Sequence, residues 1–92
     1  MQKSLKSPEY DRLIAMLVAA REAADIRQHA LAKKLGRPQS FVAKYEGGER
    51  RLDVIEFIAI ARALGADPVK LLRDFVAEKL LPKAKRGRQR AS

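Results

Sequence analysis

Apolar residues recur every three or four positions along most of the chain, and turn residues divide this pattern into five segments. No segment alternates apolar and polar residues in the manner of a half-buried strand. The pattern predicts an all-α fold of five helices, forming one domain over residues 8–81. Residues 1–7 are expected to be a flexible N-terminus and residues 82–92 a disordered basic tail, because the tail has high charge and no apolar periodicity.

Several predicted helices have recognisable first residues. Ser7 can cap the first helix, and Asp67 followed by proline opens the fifth. Asp53 and Glu56 form an acidic variant of the capping box at the start of the fourth. One side of the first helix is expected to be lined by apolar residues, namely Tyr10, Leu13, Ile14, Leu17 and Ala24.

The run QHALAKKLGRPQSFVAKYEG, residues 28–47, has the spacing of two short helices separated by a single glycine. Gly36 is placed to end the first of these helices in a left-handed conformation, and Pro38 starts the second. The outer face of the second helix carries short or hydrogen-bonding side chains of the kind that read base edges in a major groove. These residues are Gln39, Ser40, Ala43 and Lys44. The run therefore predicts a helix-turn-helix motif.

Over roughly residues 13–72 the sequence resembles the repressor and Cro family of helix-turn-helix regulators, also called the xenobiotic-response-element-like family. The run GRPQSFVAKYEGGERRLDVIEFIAIARALGADP carries much of the resemblance. The resemblance implies that the second motif helix lies in the major groove of double-stranded DNA. By matching positions, it implies base contacts from Gln39, Ser40 and Lys44. It also implies phosphate contacts from Gln28, Arg50 and Arg51.

A charged residue stands at the centre of the apolar face of the first predicted helix. Arg21 would be costly there without a partner. Glu46 lies on the inner side of the second motif helix, and the family pairs an arginine with a glutamate at these two positions. The resemblance thus implies an Arg21–Glu46 salt bridge with an architectural role. The alternative is that Arg21 reaches water along its apolar stem.

The fifth predicted helix is apolar around about half of its circumference, which is wider than the ~100° stripe that one docking surface needs. Its apolar residues are Val69, Leu71, Leu72, Phe75, Val76 and Leu80. We expect part of this face to bind a second copy of the chain in a symmetric homodimer. The interface is assigned to Leu71, Phe75 and Leu80.

The formal net charge of +9 favours a polyanionic partner, either nucleic acid or an acidic membrane surface. The last ten residues contain five lysines and arginines and no acid, and another group of basic residues surrounds the motif. That group comprises Arg27, Lys33, Lys34, Arg37, Lys44, Arg50 and Arg51. The positive charge is therefore concentrated where the motif would meet DNA.

Composition also restricts compartment and chemistry. The chain has no cysteine, so disulfides and thiolate metal sites are excluded and a cytoplasmic location is expected. The single histidine, His29, is too isolated for metal binding or catalysis, and no cofactor is expected. The apolar run over residues 13–20 is too short for a secretion signal or a membrane span.

The leading hypothesis is a sequence-specific transcriptional regulator, expected to be a repressor, that binds a palindromic operator as a dimer. An enzyme is not expected, because the sequence has no nucleophile beside a base and no glycine-rich phosphate loop. One alternative is the antitoxin of a toxin–antitoxin operon, which would bind DNA and a toxin, although the basic tail favours DNA contact. Another alternative is a protein-interaction adaptor that has lost DNA binding.

Overall fold

The computed structural model describes residues 7–77, and all regular structure in that range is helical. The helices are α1 (Pro8–Ala23), α2 (Gln28–Leu35), α3 (Gln39–Glu46), α4 (Val54–Ala63) and α5 (Pro68–Val76). The predicted all-α fold of five helices is thus confirmed. The predicted basic tail, Leu80 and most of the predicted N-terminal segment lie outside the described residues.

Three helices begin with the side-chain caps that the sequence predicts. The Tyr10 amide donates to Ser7 Oγ at 3.0 Å, and the Val69 amide donates to Asp67 Oδ1 at 2.9 Å. At α4 the capping box is complete, because Asp53 and Glu56 each accept the other's backbone N–H. By contrast α2 and α3 follow Arg27 and Pro38 without a side-chain cap. Their positions therefore depend on packing and on the turn between them.

The core is formed by buried side chains from α1, α2, α3 and α4. Its largest fully buried side chains are Leu17, Leu31, Val42, Tyr45 and Ile60. Burial of such side chains stabilises a small domain by roughly 1.5–3 kcal/mol each. The predicted inner face of α1 is correct except at Ala24, which is exposed because α1 ends at Ala23 and the chain turns away.

The apolar residues of α5 divide into two groups with different surroundings. Leu71 packs against the core, and Phe75 is half-buried under the guanidinium of Arg12, 4.5 Å from its ring centroid. The exposed group is Val69, Leu72 and Val76, at 62%, 47% and 72% exposure. At 100° per residue this group lies roughly a third of a turn from the inner one. Leu71 and Phe75 therefore both pack towards the body of the domain, and their part in a dimer interface remains a prediction.

Candidate DNA-binding surface

The turn between α2 and α3 fixes where α3 begins. Gly36 has φ of 69° and ψ of 31°, a left-handed conformation that glycine adopts without steric cost. Its amide donates to the Lys33 carbonyl at 3.1 Å, and the Arg37 amide donates to the Ala32 carbonyl at 3.0 Å. These two bonds form a Schellman motif, which satisfies carbonyls at the end of α2. The chain therefore turns at Gly36, and α3 begins three residues further on, at Gln39.

Helix α3 has a buried side and an exposed polar side. Phe41, Val42 and Tyr45 are buried, and the Phe41 and Tyr45 rings pack against each other with centroids 5.5 Å apart. The exposed side carries the three residues predicted to contact bases, Gln39, Ser40 and Lys44, together with Ala43. The structure thus brings the predicted base-contacting residues together on one exposed face. Their contact with bases remains a prediction.

The predicted Arg21–Glu46 ion pair is present. Arg21 Nε donates to Glu46 Oε2 at 2.7 Å and Arg21 Nη2 donates to Oε1 at 3.1 Å, with side-chain exposures of only 13% and 8%. Arg21 Nη1 also donates to the Ile26 carbonyl at 2.8 Å. The hydrogen bonds with Glu46 raise the pKa of Arg21. The pair therefore ties α1 and the turn after it to the C-terminal end of α3.

Gln28, predicted to contact a phosphate, is a member of this network. Its Nε2 donates to Glu46 Oε1 at 2.8 Å. A glutamine amide has two N–H groups and one oxygen, so this bond orients the amide at the start of α2 without using all of its donors. Phosphate contact by Gln28 remains a prediction, and the structure adds that Glu46 holds the side chain in place.

Arg50, also predicted to contact a phosphate, is bound to Glu56, and its phosphate contact remains a prediction. Its Nη1 and Nη2 donate to the two carboxylate oxygens at 2.9 and 2.8 Å, and Arg37 Nη2 donates to Oε2 at 3.1 Å. The guanidiniums of Arg37 and Arg50 lie 4.2 and 4.9 Å from the centroid of the Phe41 ring. Hydrogen bonds to the Glu56 carboxylate, chiefly those from Arg50 and then that from the Asp53 backbone N–H, lower its pKa from 4.5 to about 2.

Arg51 lies on the other side of the loop between α3 and α4. Its guanidinium is 4.4 Å from the centroid of the Tyr10 ring, and the residue is exposed. The hydroxyl of Tyr10 accepts the Leu52 amide at 3.1 Å, which holds the loop against α1. Arg51 thus has a defined position beside the motif, and its phosphate contact remains a prediction.

Sequence reasoning identified Glu56 only as a capping residue and counted Arg37 only as one of many basic residues. The structure shows that Glu56 joins two arginines from opposite ends of α3. The spacing of the capping box indicated that Glu56 lies at the start of α4, but the approach of both arginines depends on the packing of α3 against that start. No local sequence pattern signals this cluster.

The described residues show neither a metal site nor a membrane segment. Within residues 7–77, no group of histidine and acidic side chains is arranged to hold a metal ion. No helix in the same range is both long enough and apolar enough to cross a membrane.

Comparison with known proteins agrees with the geometry. A family model described as a helix-turn-helix domain matches residues 13–73. The solved structure of an XRE-family like protein from Pseudomonas syringae pv. tomato str. DC3000 is 51% identical, with a TM-score of 0.75 over 78% of this chain and 88% of that chain. No curated protein sequence gives a significant match.

Two structures of the clp gene regulator ClgR from Corynebacterium glutamicum are 18% identical and share the fold alone. Their TM-scores are 0.68, over 83% of this chain and 99% of that one, and 0.67, over 78% and 77%. The fold and the exposed face of α3 define a helix-turn-helix DNA-binding protein. The chain belongs to the XRE family of helix-turn-helix regulators. The comparisons give no support to the antitoxin alternative.

Proposed function

We propose that the protein is a sequence-specific transcriptional repressor, and not an enzyme, that binds a palindromic operator as a homodimer. The observation that carries this proposal is the geometry of α3, which we call the recognition helix. Gln39, Ser40 and Lys44 share its exposed face, while Phe41 and Tyr45 anchor its other side in the core. A rigidly held helix with hydrogen-bonding groups on its free face is suited to reading base edges in the major groove.

DNA binding is proposed to have two components. Lysines and arginines release counterions from the phosphates, which provides a salt-sensitive affinity for any sequence. Hydrogen bonds from the recognition helix then select among sequences. Arg51 and Gln28 flank that helix and are assigned to phosphates. Removal of the charged Arg51 should reduce the salt slope by about one, whereas removal of the neutral Gln28 should lower the affinity without that change in slope. Lys83 to Ser92, outside the described residues, is assigned the same sequence-independent role.

The dimer is proposed to form through the exposed stripe on α5, defined as Val69, Leu72 and Val76. These apolar side chains are contiguous on one side of the helix, and Ala77 and the stem of Arg73 border the same shallow surface. A two-fold axis through the stripe would pair it with itself. Two recognition helices would then reach half-sites separated by about 34 Å, one turn of the duplex.

Repression is proposed to follow from occupancy of the operator. A dimer bound across two half-sites covers the DNA that polymerase must enter. Selection of bound duplexes from a random pool tests the proposal. The expected result is one enriched palindromic sequence, which a variant carrying Gln39→Ala, Ser40→Ala and Lys44→Ala fails to enrich. A selected pool that remains random, with wild-type protein that binds all duplexes equally, would contradict a sequence-specific regulator.

A further inference from the structure

The carboxylate of Glu56 is occupied by donors from three residues. Besides both terminal nitrogens of Arg50 and one of Arg37, it accepts the backbone N–H of Asp53 at 3.0 Å. A carboxylate has about four lone-pair sites, and these donors match that number. The side chain is only 12% exposed, and it projects from a capped helix start. Glu56 is therefore a fixed anion inside a basic surface.

The two arginines are at the same time within reach of a ligand. The side chains of Arg37 and Arg50 are 42% and 40% exposed, and they flank the recognition helix on its two ends. Their guanidiniums are also held against the Phe41 ring. A phosphate that approached the recognition helix would meet two guanidinium groups whose charge is partly cancelled by one carboxylate.

The contact between Arg50 and Glu56 uses a particular edge of the guanidinium. Glu56 binds Nη1 and Nη2, the end-on edge, through two parallel hydrogen bonds. A phosphate that takes a two-bond contact with an arginine at that edge needs the same pair of nitrogens. Glu56 and a phosphate therefore cannot both have this contact with Arg50.

We propose that Glu56 is an intramolecular competitor of DNA phosphates: it retains Arg37 and Arg50 and so limits the sequence-independent part of the affinity. This inference rests on the proposed function, since it concerns the strength of DNA binding. Glu56 thus lowers the affinity for DNA without touching it.

The test measures binding to a random-sequence duplex as a function of salt for Glu56→Gln and Glu49→Gln. Glutamine preserves the capping-box geometry and removes the charge. Glu49 is the matched control, because its exposed side chain carries the same charge on the loop beside α3 but forms no ion pair within residues 7–77. Both variants thus raise the net charge equally, and only Glu56→Gln releases the arginines.

The expected effect follows from counterion release. Each added phosphate contact steepens the dependence of log Kobs on log salt by about 0.9. Glu56→Gln should therefore steepen the slope by roughly one to two, and raise the affinity in 0.1 M salt by roughly fivefold or more. Glu49→Gln should change the slope by much less. Adding Arg37→Ala and Arg50→Ala to Glu56→Gln should abolish the gain.

A second comparison leaves Glu56 intact, which keeps the test valid if Glu56→Gln impairs folding. In an otherwise wild-type chain, Arg50→Ala should leave the salt slope on random duplex nearly unchanged, whereas Arg51→Ala should reduce it by about one. Equal reductions by both variants would overturn the inference, because Arg50 would then already bind a phosphate in the presence of Glu56.

The remaining outcomes separate this inference from the proposed function. If Glu56→Gln behaves like Glu49→Gln, or weakens binding because Glu56 positions the arginines for phosphates, the competitor role is wrong while DNA binding stands. If wild-type protein binds no duplex at any salt concentration, the proposed function fails and the inference fails with it.

Discussion

Arg21 of α1 and Glu46 of α3 form the most buried ion pair among residues 7–77, with Arg21 Nε 2.7 Å from Glu46 Oε2. Glu46 also accepts a bond from Gln28 at the start of α2. The carboxylate thus connects α1, the start of α2 and the end of the recognition helix. We expect this carboxylate to hold the exposed face of α3 at a fixed orientation relative to the body.

Loss of one partner in this pair should be strongly destabilising. Glu46→Gln leaves the Arg21 guanidinium buried without a counter-charge, and we expect the free energy of unfolding to fall by ~3–5 kcal/mol. Asp74→Asn is the control, because it removes the exposed Lys70–Asp74 pair at 3.2 Å, worth under ~1 kcal/mol. Urea unfolding measures the free energy of unfolding of both variants. Equal losses in the two variants would show that the buried pair has no special architectural role.

Stability in acid should depend on Glu56. Hydrogen bonds from Arg50, from the Asp53 backbone N–H and from Arg37 lower its pKa from 4.5 to about 2 in the folded state. The stabilisation is therefore complete above pH 4.5 and is lost as the pH falls towards 2. The thermal midpoint of Glu56→Gln should lie below that of the wild type at neutral pH and approach it as the pH drops. A constant difference between the two proteins across this range would contradict the assigned pKa, and Glu49→Gln should follow the wild type.

The exposed stripe and the inner face of α5 should respond differently to a charge. Leu72→Glu places the charge in the middle of the stripe, so sedimentation at micromolar concentration should show a monomer with a nearly unchanged thermal midpoint. Phe75→Asp should lower the thermal midpoint, because the ring is half-buried beneath Arg12. Ala59→Glu, at an exposed position of α4, should leave the dimer intact. A wild-type monomer under these conditions would exclude the proposed interface.

The fold was predictable from local rules, whereas parts of the site were not. Helix starts can be predicted from capping residues, because a cap acts within one turn of its own position; here these are Ser7, Asp53 and Asp67. The turn of the motif can be predicted from Gly36, because few other residues adopt its left-handed conformation. The pairing of Arg21 with Glu46 could be predicted only from the family resemblance, because the two residues are 25 positions apart in the sequence.

Two features depend on tertiary packing and were not predicted from the sequence. On α5, apolar residues cover about half of the helix circumference. The width of this apolar face alone did not distinguish Leu71 and Phe75, which face the body, from Leu72 and Val76, which face outwards. The attachment of two arginines to Glu56 likewise depends on how α3 packs against the start of α4. A spacing of i, i+3 and i+7 from Val69 was the signal that could have separated the two faces.

The most direct test of the account is the ratio of affinities for the selected duplex and a random duplex, measured for wild type, Gln39→Ala and Lys44→Ala at one salt concentration. Because both residues lie on the exposed face of the recognition helix, each substitution should weaken binding to the selected duplex by ~1–3 kcal/mol and affect random-duplex binding less. The ratio should therefore fall in both variants. A ratio that stays at the wild-type value in both would show that the face from Gln39 to Lys44 does not read bases.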